Sequence, residues 1–159
     1  IITSYVSEEL QDYTDETILI PCLSPVRTFW EKATLLHAEH FRPLTKPTPE
    51  RLSRHYYDIN MLHKAGFSNE ALKSQNILAD VIKNKMIYFA SAWSNYQSIE
   101  THGLKLLPTK DRLIDLEKDY EQTNQIMLFG EQETFETILN NLRTLEDEIE
   151  KFNVLRNVK

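Results

Sequence analysis

Arg51, Arg54, His55 and Asp58 stand at i, i+3, i+4 and i+7, the spacing that aligns side chains along one side of an α-helix. Guanidiniums bind phosphate or carboxylate through paired N–H donors. The imidazole titrates near neutral pH, and the carboxylate can orient a base or a cation. Together they suit an anionic substrate. A plainer expectation stands beside this one: an Arg54–Asp58 pair on a solvated helix, worth only about 0.3–0.5 kcal/mol. A further candidate lies upstream. Lys32 follows Phe29 by three residues and precedes Leu36 by four, so it borders an apolar stripe and can carry its ammonium along that stripe into a cleft.

These residues need helices to position them, and the pattern supplies them. Residues 1–23 differ from the rest: Ile2–Val6 and Thr17–Leu23 are β-branched and apolar and read as one or two strands. Two strands alone are marginal in water, so they are expected to end a sheet that begins upstream. The Met-less start at Ile1 fits an excised or processed piece. From Ser24 the pattern turns helical, with Ser24 as N-cap and Pro25 in the first turn. Val26, Phe29, Trp30, Ala33, His37 and His40 share its spacing. Three of the six prolines fall between Pro43 and Pro49 and require a loop. A second helix restarts over Thr48–Arg51, turns Leu52, Tyr56, Ile59, Leu62 and His63 inward, and stops at Gly66. Ser68 caps a third through Val81-Ile82; beyond it, around Tyr88, Phe89, Trp93 and Tyr96, the period blurs. Thr109 or Asp111 opens a fourth helix with Leu113, Leu116 and Tyr120 inward. Residues 131–152 form the fifth and clearest. The expected fold is mainly α with an α+β remnant: one or two N-terminal strands in 1–23, then a helical domain of about five helices over 24–159.

Longer phrases carry a resemblance. Arg27-Thr28-Phe29-Trp30-Glu31-Lys32-Ala33, Leu36-His37 and Arg51-x-x-Arg54-His55-Tyr56-Tyr57-Asp58-Ile59 are similar to the nucleotidyl transferase AbiEii/AbiGii toxin family. So are Lys105-Leu106-Leu107-Pro108, Asp119-Tyr120 and Ile126-Met127. The resemblance runs from about Ser4 to Ile149. It implies a nucleotidyltransferase domain of the polymerase-β type followed by a helical C-terminal part. Its third motif supplies a lysine and its fourth an aspartate, which by position are Lys32 and Asp58, the implied catalytic pair. Beside that pair, Arg54, Arg27, Arg51 and His55 are the candidate substrate-binding residues, since their types suit phosphate. The implied reaction is magnesium-dependent transfer of a nucleotide from an NTP to an acceptor hydroxyl, with tRNA a candidate acceptor. The implied setting is a toxin with a cognate antitoxin, in phage defence.

The sequence departs from the family at the metal-binding motif, where a Gly-rich turn meets an Asp-x-Asp strand. No Asp-x-Asp occurs here, and the three glycines, Gly66, Gly103 and Gly130, are isolated, which also excludes GxGxxG and GxxxxGK phosphate loops. Acidic i,i+2 pairs such as Glu131/Glu133, Glu146/Glu148 and Glu148/Glu150 lie in predicted helix, where a two-residue step separates the side chains. The chain is therefore expected to bind no metal, to be the C-terminal portion of a longer enzyme, and to be inactive alone. His37-Ala38-Glu39-His40 lacks the zincin spacing and a third ligand. The aromatics at 88–96 are expected in the core. The acidic run Glu146–Glu150 is expected to be a solvated face.

Composition narrows the remaining classes. With 18 Lys+Arg against 24 Asp+Glu, the net charge is −6, which disfavours nucleic-acid binding through the bulk field. The single cysteine, Cys22, excludes an internal disulfide framework. No apolar run approaches the roughly 18 residues of a membrane span; neither membrane nor secretory signal is expected, and the cytoplasm is the default compartment. The alternative to an enzyme part is a non-catalytic helical module that contacts an antitoxin, an RNA or itself.

Overall fold

The computed structural model describes residues 21–127 and 133–157. Seven α-helices follow one another there: α1 Pro25–His40, α2 Ser53–Lys64, α3 Phe67–Lys73, α4 Gln75–Tyr88, α5 Ile99–His102, α6 Leu113–Met127 and α7 Phe135–Asn157. Short 3-10 turns at Tyr96–Ser98 and Lys110–Arg112 lead into α5 and α6. The described residues are mainly helical and contain no strand. The expected strands fall almost wholly within residues 1–20, outside the described residues. Of the second, Pro21 to Leu23 are described and are not strand.

α1 is the centre of the bundle, packed against α2, α3 and α4. It starts where the sequence places it: the Ser24 hydroxyl accepts the Arg27 N–H at 3.2 Å, with Pro25 in the first turn. Phe29, Trp30, Ala33 and Leu36 are fully buried. Truncating a buried aromatic of this kind costs about 3–5 kcal/mol. α2 buries Tyr56 and Ile59 and also rests on α6 and α7. α7 contributes Phe135, Ile138, Leu142, Leu145 and Ile149 to the same core.

The second helix begins later than the pattern predicts. Arg51 has φ +59°, a left-handed conformation that α-helical propagation excludes for an L-residue. α2 therefore opens at Ser53, with no side-chain cap of its own. Asp119 of α6 takes that role, its two carboxylate oxygens accepting the N–H groups of Arg51 (2.6 Å) and Ser53 (2.8 Å). A carboxylate there satisfies orphan donors and meets the positive end of the helix. The third predicted helix is two helices, broken at Ser74 and preceded by Gly66 at φ +84°, not capped by Ser68. That break, with the short α5 that the pattern did not predict, raises the count from about five to seven among the described residues.

Polar side chains clasp the remaining segments to the bundle. His37 is fully buried. Its Nε2 donates to the Asn95 carbonyl at 3.1 Å, and its Nδ1 accepts the Lys105 N–H at 3.1 Å. His40 Nδ1 donates to the Leu107 carbonyl at 2.7 Å. Among the described residues no three His, Cys, Asp or Glu side chains converge as metal ligands. Glu146 departs from the expected solvated face: it accepts the Leu106 N–H at 2.6 Å and pairs with Lys105 at 3.3 Å, because 104–106 packs directly on α7. Arg112, nearly buried, gathers the loop after α1 by donating to the carbonyls of Pro43 and Lys46 and to Thr48 Oγ1. Of the four aromatics expected inside, Tyr96 is buried and Trp93 half-buried, whereas Tyr88 and Phe89 are exposed because α4 ends there, away from the core.

Two measurements test this framework. Asp119→Ala removes the borrowed cap and is expected to cost about 1–2 kcal/mol, read as a lower urea midpoint with unchanged slope. Burial holds His37 below the ordinary histidine value, against the raising effect of the Asn95 carbonyl. Its contribution is complete above the unfolded value near 6.5 and is lost as pH falls toward the folded value. Denaturant stability is thus expected to drop between pH 7 and pH 5, with a shallower drop in His37→Gln.

Candidate functional site

The apolar stripe fixes the rotation of α1. With Phe29, Trp30 and Ala33 fully buried, Lys32 emerges at the seam with α2, its side chain one-quarter exposed. On α2, burial of Tyr56 and Ile59 fixes the opposite rotation, and His55 and Asp58 turn toward the seam. The Lys32 ammonium donates to Asp58 Oδ2 at 2.7 Å and to His55 Nδ1 at 2.9 Å. An ammonium only donates, so His55 Nδ1 accepts, and the neutral ring carries its hydrogen on Nε2. His55 Nδ1 lies 3.8 Å from Asp58 Oδ2, beyond hydrogen-bond range. Burial pushes the Asp58 carboxyl up, but the hydrogen bond and charge of the Lys32 ammonium hold it below the ordinary carboxylate value.

Two of the three ammonium hydrogens of Lys32 are thus committed, and tetrahedral geometry aims the third away from both partners. Among the described residues it has no acceptor. This is a cation held in place by its neighbours with one donor open, the arrangement that lets an anionic ligand bind without first ordering a flexible side chain.

The other residues singled out from the sequence divide. Arg54 lies one turn before Asp58, half-buried, and its Nε has no partner among the described residues. The i,i+4 Arg54–Asp58 pair of the plainer expectation does not form, because Asp58 is taken by Lys32. Arg51 stands outside α2 and leaves the i, i+3, i+4, i+7 stripe. Its backbone N–H is fastened to Asp119 and the residue is exposed. Arg27 lies on α1 one turn before Glu31 and pairs with it at 3.5 Å. A cavity of about 490 Å³ lined by Gln75, Asn76, Leu78, Ala79, Ile82, Ile99, Glu100 and Asn153 includes none of these residues.

The structure adds Lys85 of α4, which the sequence reading passed over. It is buried, and its ammonium lies 3.5 Å from Glu31, the residue before Lys32. Its neighbours Val81 and Ile82 announced a core face. A lysine four residues after Val81 on that face was the available signal.

The profile of the family described as Nucleotidyl transferase AbiEii toxin, Type IV TA system, matches residues 1–141. The chain belongs to this family. It is therefore of the toxin-type nucleotidyltransferase kind, from a toxin–antitoxin system. No curated protein and no solved structure matches it. The matched span contains Lys32, His55 and Asp58, helices α1 to α6 and the start of α7. No described helix is long and apolar enough to cross a membrane.

The Asp58 carboxylate is turned to the Lys32 ammonium, and among the described residues of this AbiEii-family chain no group of three His, Cys, Asp or Glu side chains converges on a metal position. The ion pair has a measurable pH signature. Because Asp58 is held below its unfolded value near 3.9, its contribution is complete above that pH and lost as pH falls through the folded value. Asp58→Asn is expected to flatten the fall in stability below pH 4, measured by acid titration of circular dichroism.

Proposed function

We propose that these helices form the phosphate-holding half of a nucleotidyltransferase site that moves a nucleotide from an NTP to an acceptor hydroxyl. The observation that carries this reading is the pinned Lys32 ammonium with one donor open, beside Asp58 and His55. Lys32 binds a triphosphate oxygen and offsets the charge that builds as the acceptor oxygen bonds to the α-phosphorus. The bond from that phosphorus to the bridging oxygen breaks, pyrophosphate leaves, and the hydroxyl proton passes to solvent. Electrostatic stabilisation of this kind dominates phosphoryl transfer, which needs little covalent help from the protein.

Asp58 is a positioning residue: it keeps Lys32 charged and aimed. His55 buttresses the same ammonium and presents Nε2–H as a further donor. Arg54, one turn before Asp58 on α2, is a second phosphate contact through its guanidinium; Arg27 and Arg51 are outer contacts. The sequence contains no Asp-x-Asp. The carboxylates that hold magnesium are therefore assigned to a segment outside these 159 residues, and the chain alone is expected to be inactive. By family, tRNA is the proposed acceptor, a cognate antitoxin the proposed partner and the cytoplasm the proposed compartment, in phage defence.

The decisive test uses the protein with its complete catalytic segment. Lys32→Ala and Asp58→Ala are each expected to lower nucleotide incorporation from labelled NTP into RNA at least a hundredfold, the range set by losing one transition-state donor. Near-parental incorporation by both variants overturns the reading.

A further inference from the structure

Lys85 and Glu31 stand beside the site with geometry that its resting contacts do not account for. Glu31 lies 3.5 Å from the Lys85 ammonium and 3.5 Å from the Arg27 guanidinium. Both gaps exceed the 2.7–2.9 Å of a closed charge-assisted hydrogen bond, which Lys32–Asp58 reaches at 2.7 Å. One carboxylate thus stands between two cations without closing on either. Lys85 is only 8% exposed, and a lysine buried this far is rare unless paired. Its other neighbour of note is the Phe89 ring, 5.8 Å below the ammonium.

Charge adds a second constraint. Glu31 and Lys32 are consecutive on α1, so Arg27, Lys32 and Lys85 face Glu31 and Asp58: three cations against two carboxylates, in a chain whose net charge is −6. Burial pushes Lys85 below the ordinary lysine value, Glu31 partly restores it, and the charge of Lys32 lowers it further. The surplus is positive and local, with Lys85 buried and Arg27 and Lys32 partly open to solvent, and suits a ligand carrying several negative charges close together. One open donor on Lys32 does not neutralise such a ligand.

We infer that Lys85 is a second ammonium of the polyphosphate site, and that Glu31 is a resident carboxylate which the incoming polyphosphate displaces from Lys85 and Arg27. This rests on Lys32 being the phosphate-binding cation. In the resting site Glu31 holds the two outer cations loosely, so that they are charged and near their working positions. A polyphosphate with more charge and more acceptor oxygens replaces it, and Glu31 is then a competitor for the site.

The test is a calorimetric titration of the 159-residue chain with inorganic tripolyphosphate, without nucleotide or metal. Lys85→Met keeps the buried stem and removes the charge; it is expected to weaken binding about tenfold, the worth of one charge-assisted contact. Glu31→Gln is expected to tighten binding severalfold, a sign that a merely structural defect does not produce. A parent chain that does not bind tripolyphosphate, Lys85→Met within twofold of the parent, or Glu31→Gln that binds more weakly, overturns the inference. Lys32→Met, titrated in parallel, separates the two readings. Its failure to weaken binding sinks the underlying assignment of Lys32, whereas weakening by Lys32→Met alone leaves that assignment standing and removes Lys85.

Discussion

The constraint on which the structure turns is that α1 runs through the middle of the bundle. With α2, α3 and α4 packed around it, the helix has little solvent to offer its own polar residues. An unpartnered buried polar group costs about 1–3 kcal/mol, so most polar side chains on α1 are matched to something specific, the buried Trp30 indole N–H being an exception among the described residues. Thr34 returns its hydroxyl to the Trp30 carbonyl, His37 bridges Asn95 and Lys105, and His40 reaches Leu107. Lys32 meets Asp58 and His55, and Glu31 faces Lys85 and Arg27. The site is one instance of a pattern that recurs along the helix. Lys32 and Glu31 differ from Thr34, His37 and His40 because their partners include charged side chains.

Sequence reading captured what depends on local pattern. The start of α1, the inward faces of α1, α2, α6 and α7, and the pairing of interest between Lys32 and the 55–58 region follow from periodicity, capping chemistry and family phrases. What it missed depends on contacts between distant positions. Arg51-x-x-Arg54 reads as helix until Asp119, 68 positions away, pins the Arg51 backbone in a left-handed turn. Glu146 reads as solvated until Leu106 docks on it from 40 positions away. Lys85 falls on the core face one turn after Val81, but its partner is fixed only when α1 places Glu31 3.5 Å from its ammonium. Tyr88 and Phe89 are aromatic but lie where α4 ends, and no local signal distinguishes an apolar helix end that meets the core from one that leaves it. Asp119 carried a family match with no chemistry attached; its role is capping, which only the tertiary structure supplies.

The borrowed cap also bears on the site. α2 has no side-chain cap of its own, so the register at which His55 and Asp58 face α1 depends on α6. Asn60, fully buried, extends the same dependence toward α7: it donates to Glu133 at 2.6 Å and accepts from Asn141 at 2.9 Å. Lys64 closes on Glu133 at 2.9 Å. Both ends of α2 are therefore fastened to the C-terminal helices. A helix held at both ends has little freedom to rotate Asp58 away from Lys32, and this is how residues far from the seam contribute to its precision.

Asp58 stands in an apparently contradictory position, since a carboxylate that grips the ammonium also opposes the anion that the ammonium is to bind. Geometry resolves this. Only one of the three lysine donors is given to Asp58 and one to neutral His55, so the ammonium is oriented by two groups of which only one carries opposing charge. A second carboxylate in place of the imidazole would make the local charge negative and repel a phosphate; two neutral partners would leave the buried stem with a charge that favours deprotonation. One anion and one neutral acceptor hold the lysine charged, fixed and still able to attract. The same logic separates Glu31 of α1 from Asp58 of α2. Asp58 closes on its cation at 2.7 Å and stays with it, whereas Glu31 stands 3.5 Å from each of two cations and has less to lose by giving way.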